Sequence, residues 1–482
     1  MQTEGKKITV VGLARSGLGA ANLLAGLGAS VTVTDAKNKE ELNDFVARLL
    51  PSVRLALGGH PEEVFTSADM LVLSPGVPSN LAHVVRAREQ GVPVIGELEL
   101  AYEVMKTGFD GRLLAPGTPF IAITGSNGKS TTTSLLDLML SKGSLRTVLG
   151  GNIGSALTEE FVKIKAGVPP TGTGSPYDFI LAEVSSFQLE TIDAFRPHIA
   201  AILNISPDHM DRYRSLHEYA EVKARIFANQ GDHDFLILNA DDPEILSLHK
   251  RDFGDGASRP RVYWFSRLRE VEGVYYSGGE IHCNITDIGS IPPLSSLLGA
   301  AEIGVKGVHN LENAMAASAM ALLAGCTAET VRQGLREFGG LEHRMEFVRQ
   351  LDGVRYINDS KGTNVGAVLK SLESFSGPLI LIAGGRDKAG DFSALGSLIS
   401  EKVKALIVIG EAAGKIKKTV GNLTETVPAK DLKEAVEISR EKAAEGDVVL
   451  LSPACASFDM FIDFEDRGRQ FKDIVMGLGH GG

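Results

Sequence analysis

The sequence has few cysteines, no long apolar run and no excess of basic residues. Its three cysteines are scattered and none lies in CxxC spacing: Cys283, Cys326 and Cys455. This usage argues against a disulfide framework or a zinc site and fits a reducing compartment. No run of about 18 apolar residues is present, so we expect no membrane span. The formal net charge of −11 argues against nucleic-acid binding, which needs a basic face.

The rest of the composition is ordinary for a globular protein. The 482 residues are 43% hydrophobic and 23% charged, and this length is sufficient for about three domains. The first residues, MQTEGKKITVVGL, contain too short an apolar stretch for a signal peptide. We therefore expect a cytoplasmic protein. We also expect a monomer, although no pattern in the sequence reports on oligomeric state.

Strand-like and helix-like patterns alternate in three segments, which we predict to be domains at 1–115, 116–340 and 341–482. Such alternation predicts α/β folding, with parallel sheets covered on both faces. Gly/Pro-rich stretches predict a linker at 108–119 and a surface loop at 165–177. The predicted strands are 7–11, 30–34, 70–73, 92–95, 120–123, 179–182, 199–203, 235–238, 379–383, 405–409 and 448–451, with further β structure in 255–308 and helices from 131 and over 309–323.

The strongest local motif is the run TGSNGKST at 124–131, between a predicted strand and a predicted helix. In that context glycine amides can surround phosphate oxygens, the lysine adds a positive charge and the serine hydroxyl can bind Mg²⁺. The standard spacing GxxxxGK[ST] is not met, because Thr124 stands four residues before Gly128 and Ile123 five before it, so the first glycine of the pattern is missing. A Gly-rich turn with an exposed lysine is the alternative. The predicted nucleotide-binding residues are Gly125, Ser126, Asn127, Gly128, Lys129, Ser130 and Thr131.

A second glycine turn, at 12–17, follows the first predicted strand and resembles a dinucleotide fingerprint. Asp35 ends the next strand, where an acid can bind a ribose or a base edge. Gly76, after another strand, can form a further edge of the same site. Ala14 adds a methyl group where a pyrophosphate would approach, which argues against NAD. A purely structural turn is the alternative interpretation.

Several motifs in a fixed order resemble the Mur ligase family. They are the phosphate loop, EVSSFQL at 183–189, NISPDHMDR at 204–212 and HNxxN at 309–313, together with LSPGV at 73–77 and SPACASFD at 452–459. The resemblance covers essentially the whole chain. It implies a Rossmann-like N-terminal domain, a central domain like a P-loop ATPase and a Rossmann-like C-terminal domain. It also implies an ATP- and Mg²⁺-dependent ligase of peptidoglycan synthesis that adds D-glutamate to UDP-N-acetylmuramoyl-L-alanine.

The resemblance also implies a set of site residues. Asn310, Arg344 and Asp359 would join the phosphate loop in binding ATP; Ser16, Asp35, Gly76 and Asn152 would bind the UDP-sugar; and Thr363, Lys388, Ser457 and Phe464 would bind D-glutamate. Ser130, Glu183, His209 and a carbamylated Lys223 would hold the metal, with Lys129, His209 and Lys223 as the catalytic residues. A carbamylated lysine is an anion, which suits a cation that prefers oxygen ligands.

Without the family, several of these residues have simpler interpretations. His209 is compatible with a structural histidine, Lys223 with a solvated helix lysine and Asn310 with a helix cap. The competing functions are a sister ligase or folylpolyglutamate synthase, a nucleotide-dependent dehydrogenase and a non-catalytic nucleotide-binding scaffold. The expected reaction proceeds through an acyl phosphate. It requires the third domain to close on the second, with a hinge predicted near 339–345.

Overall fold

The computed structural model describes residues 3–107, 114–167, 177–210, 212–252, 259–285, 294–305, 307–387 and 390–479. Three separate sheets follow one another along the chain, each with helices packed on it. The predicted α/β fold with parallel sheets in three domains is therefore confirmed. Lys388, and most of the predicted linker and loop (108–113 and 168–176), lie outside the described residues.

The first sheet has five parallel strands in the order β3-β2-β1-β4-β5. The strands are Lys7–Val11 (β1), Ser30–Asp35 (β2), Arg54–Leu57 (β3), Met70–Leu73 (β4) and Val94–Gly96 (β5), and the helices are Arg15–Gly26 (α1), Asn43–Val46 (α2), Glu63–Thr66 (α3), Ala82–Glu89 (α4) and Glu97–Thr107 (α5). The chain reverses its direction across the sheet between β1 and β4. A crevice forms at such a reversal, beyond the carboxyl ends of the strands, and ligands bind there.

The second sheet has nine strands in the order β14-β13-β12-β11-β10-β9-β6-β8-β7, with β12, β13 and β14 paired antiparallel at one edge. The strands are Phe120–Thr124 (β6), Thr147–Gly151 (β7), Phe179–Glu183 (β8), Ile199–Ile202 (β9), Phe235–Asn239 (β10), Arg261–Ser266 (β11), Gly273–Ser277 (β12), Glu280–Cys283 (β13) and Leu294–Gly299 (β14). The α-helices are Lys129–Lys142 (α6), Leu157–Gly167 (α7), Ser186–Leu189 (α8), Leu216–Ala224 (α9), Pro243–Asp252 (α10), Val308–Leu323 (α11) and Ala328–Glu337 (α12), and two short 3-10 helices are Arg225–Phe227 and Ala300–Glu302.

The third sheet has six strands in the order β15-β16-β20-β17-β18-β19, parallel except for β15. The strands are Glu346–Leu351 (β15), Val354–Asn358 (β16), Leu379–Gly384 (β17), Val403–Ile409 (β18), Glu425–Pro428 (β19) and Val448–Leu451 (β20), and the helices are Val365–Glu373 (α13), Gly396–Lys402 (α14), Ala413–Val420 (α15), Leu432–Lys442 (α16) and Phe464–Gly477 (α17), with a 3-10 helix at Phe392–Leu395. Because β20 lies between β16 and β17, the loops that follow these three strands meet at one edge of the sheet.

Most predicted elements are present, with bounds that shift by one to a few residues. Helix α6 begins at Lys129, inside the predicted loop, because Gly128 takes the left-handed conformation that ends the loop. The strand predicted at 92–95 begins only at Val94; Pro93 has no N–H to donate to a neighbouring strand. Residues 165–167, predicted as loop, form the last residues of α7.

The first two domains are joined by two buried carboxylates on α5. Glu97 accepts hydrogen bonds from the backbone N–H and the hydroxyl of Thr158, both at 2.8 Å. Glu99 accepts from the backbone N–H groups of residues 193, 194 and 195 at 2.8, 2.9 and 3.0 Å. Side chains of both domains also share one apolar core. The first domain is therefore held firmly on the second.

The third domain has its own core. The apolar clusters on the two faces of its sheet are built from residues 345 onward. Within the part of the chain that the structure describes, no helix has both the length and the apolar character needed to cross a membrane.

Candidate functional site

The phosphate loop lies between β6 and α6 and depends on two glycines with positive φ. Gly125 has φ +154° and Gly128 has φ +82°. A Cβ atom at Gly128 would lie 2.3 Å from Oδ1 of Asn313, so a side chain there would displace Asn313 as well as strain the left-handed backbone. The Lys129 ammonium group turns back and donates to the carbonyl oxygens of Gly125, at 2.7 Å, and Ser126, at 3.1 Å. The lysine thus lies at the centre of the loop.

The segment after β9 braces this loop. Asn204 accepts from the backbone N–H of Asn127 at 2.8 Å and donates to the Asn127 carbonyl oxygen at 3.1 Å. The Ser126 hydroxyl donates to the Ser206 carbonyl oxygen at 2.9 Å and accepts from the Ser206 N–H at 3.0 Å. These paired contacts hold the loop backbone in one conformation.

A cavity of about 340 Å³ opens between the second and third domains, beside the phosphate loop. Six of the predicted ATP-binding residues line it: Asn127, Gly128, Thr131, Asn310, Arg344 and Asp359. Gly125, Ser126, Lys129 and Ser130 do not line it. The Arg344 guanidinium donates to the Ser130 hydroxyl at 2.7 Å, which connects the third domain to the start of α6.

Asp359 is buried on the third-domain side of this cavity. Its carboxylate accepts from the hydroxyls of Ser371 and Ser452, both at 2.7 Å. Burial raises the pKa of Asp359 to about 6, against the opposing effect of these hydrogen bonds. The carboxyl group is therefore held in a fixed orientation at the cavity wall.

Glu183 and Lys223 are buried beside the phosphate loop. Oε1 of Glu183 accepts from the Asn152 amide at 2.7 Å, whereas Oε2 has no hydrogen-bond partner among the described residues. Lys223 is 1% exposed and donates to the Gly125 carbonyl oxygen at 3.0 Å. Burial, and secondarily the charge of Lys129, lower the pKa of Lys223 well below its ordinary value. Burial therefore disfavours the charged ammonium form of Lys223 relative to that of an exposed lysine.

His209 follows the loop that leaves β9 and has φ +57°, which is unusual for a residue with a side chain. Its ring lies 4.7 Å from the Phe187 ring, centroid to centroid. Its Nε2 atom is 3.7 Å from Oδ2 of Asp208, and its backbone N–H donates to Oδ1 of Asp208 at 3.0 Å. The preceding residue, Asp208, also contacts Asn364 of the third domain, so His209 lies close to the boundary between the two domains.

A metal ion bound without help from a substrate needs several protein ligands placed close together. No group of three or more His, Cys, Asp or Glu side chains that could hold a metal ion is found among the described residues. Mg²⁺, however, is commonly bound by one or two carboxylates together with substrate phosphates. The unpartnered Oε2 of buried Glu183, on the strand that pairs with β6 just before the phosphate loop, fits that kind of site.

A second cavity, of about 470 Å³, lies between the first and second domains. All four predicted UDP-sugar residues line it: Ser16, Asp35, Gly76 and Asn152. Oδ2 of Asp35 accepts from the Leu13 N–H at 2.7 Å, which fixes the glycine turn against β2. A Cβ atom at Gly17 would lie 2.0 Å from the Gly12 carbonyl oxygen, so α1 can start this close to the turn only with glycine.

His60 also lines this cavity and was not predicted. The Thr34 hydroxyl lies 3.1 Å from Nδ1 of His60 and 3.2 Å from the Gly59 carbonyl oxygen. Burial lowers the pKa of His60, which favours the neutral ring. An isolated histidine in a Gly-rich loop carries no sequence pattern from which its position at the cavity could be predicted.

Three of the four predicted D-glutamate residues, Thr363, Ser457 and Phe464, lie where the loops after β16 and β20 meet the start of α17, and the fourth, Lys388, lies outside the described residues. Ser457 is buried and Phe464 is the first residue of α17. The Lys361 ammonium group lies 3.7 Å from the centroid of the Phe464 ring. Lys361 was not predicted, although it stands two residues before Thr363 and lines the cavity beside the phosphate loop. Burial, and secondarily the charge of Arg344, lower its pKa to about 7.

Arg467, on α17, is a further residue that the sequence did not reveal. It is fully buried and donates to the carbonyl oxygens of Ser360, at 2.8 Å, and Cys455, at 3.3 Å. Its guanidinium group therefore ties together the loops after β16 and β20, which carry Thr363 and Ser457. In the sequence it resembles an ordinary surface arginine of a helix.

Three family models match consecutive parts of the chain: "Mur ligase MurD-like, N-terminal domain" over 6–96, "Mur ligase middle domain" over 123–321 and "Mur ligase, glutamate ligase domain" over 343–455. The chain is 44% identical to the UDP-N-acetylmuramoylalanine--D-glutamate ligase of Pelotomaculum thermopropionicum, covering 99% of this chain and 98% of that relative. It is 43% identical to the ligase of the same name from Geotalea daltonii, covering 100% and 99%.

Solved structures with low sequence identity have the same fold. The MurF ligase from Thermotoga maritima in complex with ADP has a TM-score of 0.60 at 15% identity, covering 93% of this chain and 95% of that one. A pseudomurein peptide ligase type C from Methanothermus fervidus has a TM-score of 0.57 at 20% identity, covering 98% and 100%.

Proposed function

The chain belongs to the Mur ligase family, and from this membership we propose that it joins D-glutamate to UDP-N-acetylmuramoyl-L-alanine at the expense of ATP, a step of peptidoglycan synthesis. Relatives of that name align over nearly the full chain. The observation that carries the proposal is the position of the phosphate loop between two cavities. The proposed nucleotide cavity lies on its third-domain side. On the other side, Asn152 lines the proposed UDP-sugar cavity and donates a hydrogen bond to Glu183.

The proposed reaction has two steps. The L-alanine carboxylate of the UDP-sugar attacks the γ-phosphorus of ATP, and ADP leaves, which yields an acyl phosphate. The D-glutamate amine then attacks the acyl carbon, and phosphate leaves from the tetrahedral intermediate as the amine loses a proton. The backbone N–H groups of the loop and the Lys129 ammonium offset the negative charge that spreads over the phosphoryl oxygens in the first step.

The Lys129 side chain lies against the phosphate loop, where the phosphates are proposed to bind. Its ammonium donates to two carbonyl oxygens of the loop itself. Phosphate oxygens are stronger acceptors because they are charged, so the nucleotide takes over at least one of these hydrogen bonds. Arg344 adds a planar cation from the third domain, and its contact with Ser130 brings that cation to the start of α6.

The proposed metal site uses Ser130 and Glu183 together with nucleotide phosphates, and His209 and carbamylated Lys223 as the family resemblance implies. When bound, Mg²⁺ would offset the charge of the transferred phosphoryl group. Addition of CO₂ to an amine requires the neutral form and releases one proton, so the lowered pKa of Lys223 supports this modification. A carbamate on Lys223 would also offset the positive charge of nearby Lys129.

D-glutamate is proposed to bind in the third domain at Thr363, Ser457 and Phe464, with Lys388 as a cation that pairs with a carboxylate. Lys361 is a second basic group at the edge of this pocket, and it becomes a cation when it takes up a proton on binding of an anion. A dianionic amino acid needs such positive charge together with N–H and hydroxyl donors. Burial of Arg467 between the same loops supports a rigid pocket.

We further propose the domain division 1–115, 116–340 and 341–482, a monomeric state and a cytoplasmic location. The three sheets support the division. Size-exclusion chromatography with light scattering tests the monomer, and fractionation of cells that express a tagged chain tests the location.

A phosphate-release assay tests the function. Purified protein is supplied with ATP, Mg²⁺ and UDP-N-acetylmuramoyl-L-alanine, and D-glutamate is compared with L-glutamate, glycine, L-alanine and L-lysine. We expect substrate-dependent phosphate release with D-glutamate alone. Release with another amino acid would identify a sister ligase, and nucleotide binding without release would identify a non-catalytic scaffold.

A further inference from the structure

Asn364 links three parts of the molecule through one side-chain amide. It is the residue before α13 in the third domain, and its Oδ1 atom accepts from the Ala367 N–H at 2.8 Å, which caps the helix. Its Nδ2 atom donates to Oδ1 of Asn127 in the phosphate loop at 3.3 Å and to Oδ2 of Asp208 at 3.1 Å. Both of these acceptors belong to the second domain.

The positions of the two acceptors, Asn127 and Asp208, depend on the conformation of the phosphate loop and of the segment after β9. Asn127 is held by Asn204 through paired hydrogen bonds, so the position of its side chain follows the conformation of the phosphate loop. Asp208 is fixed by the N–H of His209, which accounts for its other oxygen. The Asn364 amide can donate to both acceptors only when the phosphate loop and the segment after β9 have the conformations seen here.

The packing around Asn364 leaves little tolerance. A Cβ atom at Gly366, in the first turn of α13, would lie 3.0 Å from the Ser206 hydroxyl and 3.4 Å from the Asn127 amide nitrogen. The helix backbone therefore approaches the phosphate loop closely. Thr363, the proposed D-glutamate residue, is adjacent to Asn364 in the chain, so any displacement of Asn364 moves the amino-acid pocket as well.

We propose that Asn364 is a positioning residue that couples the nucleotide-bound phosphate loop to closure of the third domain, and so completes the D-glutamate pocket only when the loop is in its binding conformation. This inference rests on the proposed function for the identity of the amino acid. The coupling itself depends on the hydrogen bonds of Asn364 and on nothing in the substrate. The alternative is that Asn364 serves only as a helix cap.

Substitutions at this residue separate the cap from the bridge. Asn364→Asp keeps an oxygen that can cap α13, but it removes the donor and faces the Asp208 carboxylate with a second negative charge. Asn364→Ala removes both functions. Asp431→Asn is the matched control, because Asp431 caps α16 in the same domain by accepting from the Glu434 N–H at 2.8 Å. Circular dichroism melting curves check that each variant is folded.

Kinetics give the first measurement. At saturating ATP and UDP-sugar we expect Asn364→Asp to raise the KM for D-glutamate at least about tenfold, the effect of losing one hydrogen bond to a charged group. Asn364→Ala should also raise it, and Asp431→Asn should leave it unchanged. A normal KM in Asn364→Asp with an impaired Asn364→Ala would assign the residue a capping role only and overturn the proposal.

Small-angle X-ray scattering gives a second measurement that needs no ligase activity. We expect the wild-type radius of gyration to fall when a non-hydrolysable ATP analogue and Mg²⁺ are added, and Asn364→Asp to lose most of this contraction. Adding Asp208→Asn to Asn364→Asp should restore it, because the new amide can donate to the new carboxylate. Equal contraction in wild type and Asn364→Asp, no contraction in wild type or no restoration would each overturn the coupling.

The two measurements also separate this proposal from the proposed function. If the wild type contracts with nucleotide and Asn364→Asp does not, but the wild type releases no phosphate with D-glutamate, the D-glutamate assignment is refuted and the role of Asn364 stays supported. Normal D-glutamate turnover in both Asn364 variants refutes the role of Asn364 and leaves the ligase assignment intact.

Discussion

Replacing Glu99 with Ala should weaken the attachment of the first domain to the second. The Glu99 carboxylate accepts three backbone N–H groups, from residues 193, 194 and 195. The N–H of Phe195 is buried, so its loss of a partner costs about 1 to 3 kcal/mol. The other two are partly accessible to water, and each contributes about 0.5 to 1 kcal/mol. The expected local loss is therefore about 3 kcal/mol.

Hydrogen exchange measured by mass spectrometry gives the local free energy directly. A loss of about 3 kcal/mol should speed exchange of the amides at 193–195 by about a hundredfold, since 1.4 kcal/mol corresponds to a factor of ten. Glu99→Gln should fall between wild type and Glu99→Ala, because its amide keeps one oxygen acceptor. The KM for the UDP-sugar should rise as well, since its cavity lies between the two domains.

Glu103→Ala is the matched control on the same helix. Glu103 forms a partly exposed ion pair with Lys106 at 2.8 Å, which contributes only about 0.2 to 0.5 kcal/mol. Exchange at 193–195 should therefore stay near the wild-type rate. If Glu99→Ala and Glu103→Ala give the same exchange rates, the carboxylate does not hold the two domains together and the reasoning is wrong.

The remaining predictions concern the three lysines at the nucleotide site. Lys129→Ala should lower D-glutamate-dependent phosphate release by at least about a hundredfold, the effect of removing one preorganised donor from the transition state; near-normal release would refute the role of the loop. Lys223→Ala should be inactive and regain activity with added short carboxylates, which replace the carbamate; full activity without them would refute carbamylation. Lys361 has a pKa of about 7, so at pH 8 it is mostly neutral, and binding of the anionic nucleotide should raise that pKa and take up close to one proton. Calorimetry in buffers of different ionisation enthalpy measures this uptake, and an equal uptake in Lys361→Met would contradict it.

The lowered pKa of Lys361 also affects the stability of the folded protein. The folded pKa of Lys361 lies below the ordinary lysine value of 10.5, so the folded state disfavours the protonated form. Its contribution to stability is therefore unfavourable at low pH and is relieved as pH rises from about 7 to 10.5. The size of this effect falls when an anion occupies the site.

The phosphate loop could be predicted because its chemistry is local. Strand, glycines, lysine and hydroxyl residues are adjacent in the sequence, and the structure places them as one loop between β6 and α6. Asp35 and Asn152 are far apart in the chain, and only the family resemblance brought them together before the structure placed both at one cavity. Their roles in binding remain predictions.

Other parts of the site could not be predicted from a local pattern. Glu97 and Glu99 lie in the run ELELAYEV, where acids resemble the solvated face of a helix, although both are buried. Arg467 likewise resembles a surface residue in the sequence, although it is buried. Asn364 is recognisable as a helix cap, but its second set of contacts is with residues 237 and 156 positions away. Burial and long-range contacts of this kind depend on how the domains are packed together.

The separate core of the third domain makes that domain a candidate for exchange between related enzymes. Its apolar clusters are complete within residues 345 onward, and the contacts that join it to the phosphate loop are polar ones made by Arg344 and Asn364. A chimaera that keeps residues 1–342 and takes the remainder from a relative with a different amino-acid substrate should retain the UDP-sugar cavity and acquire the donor's choice of amino acid.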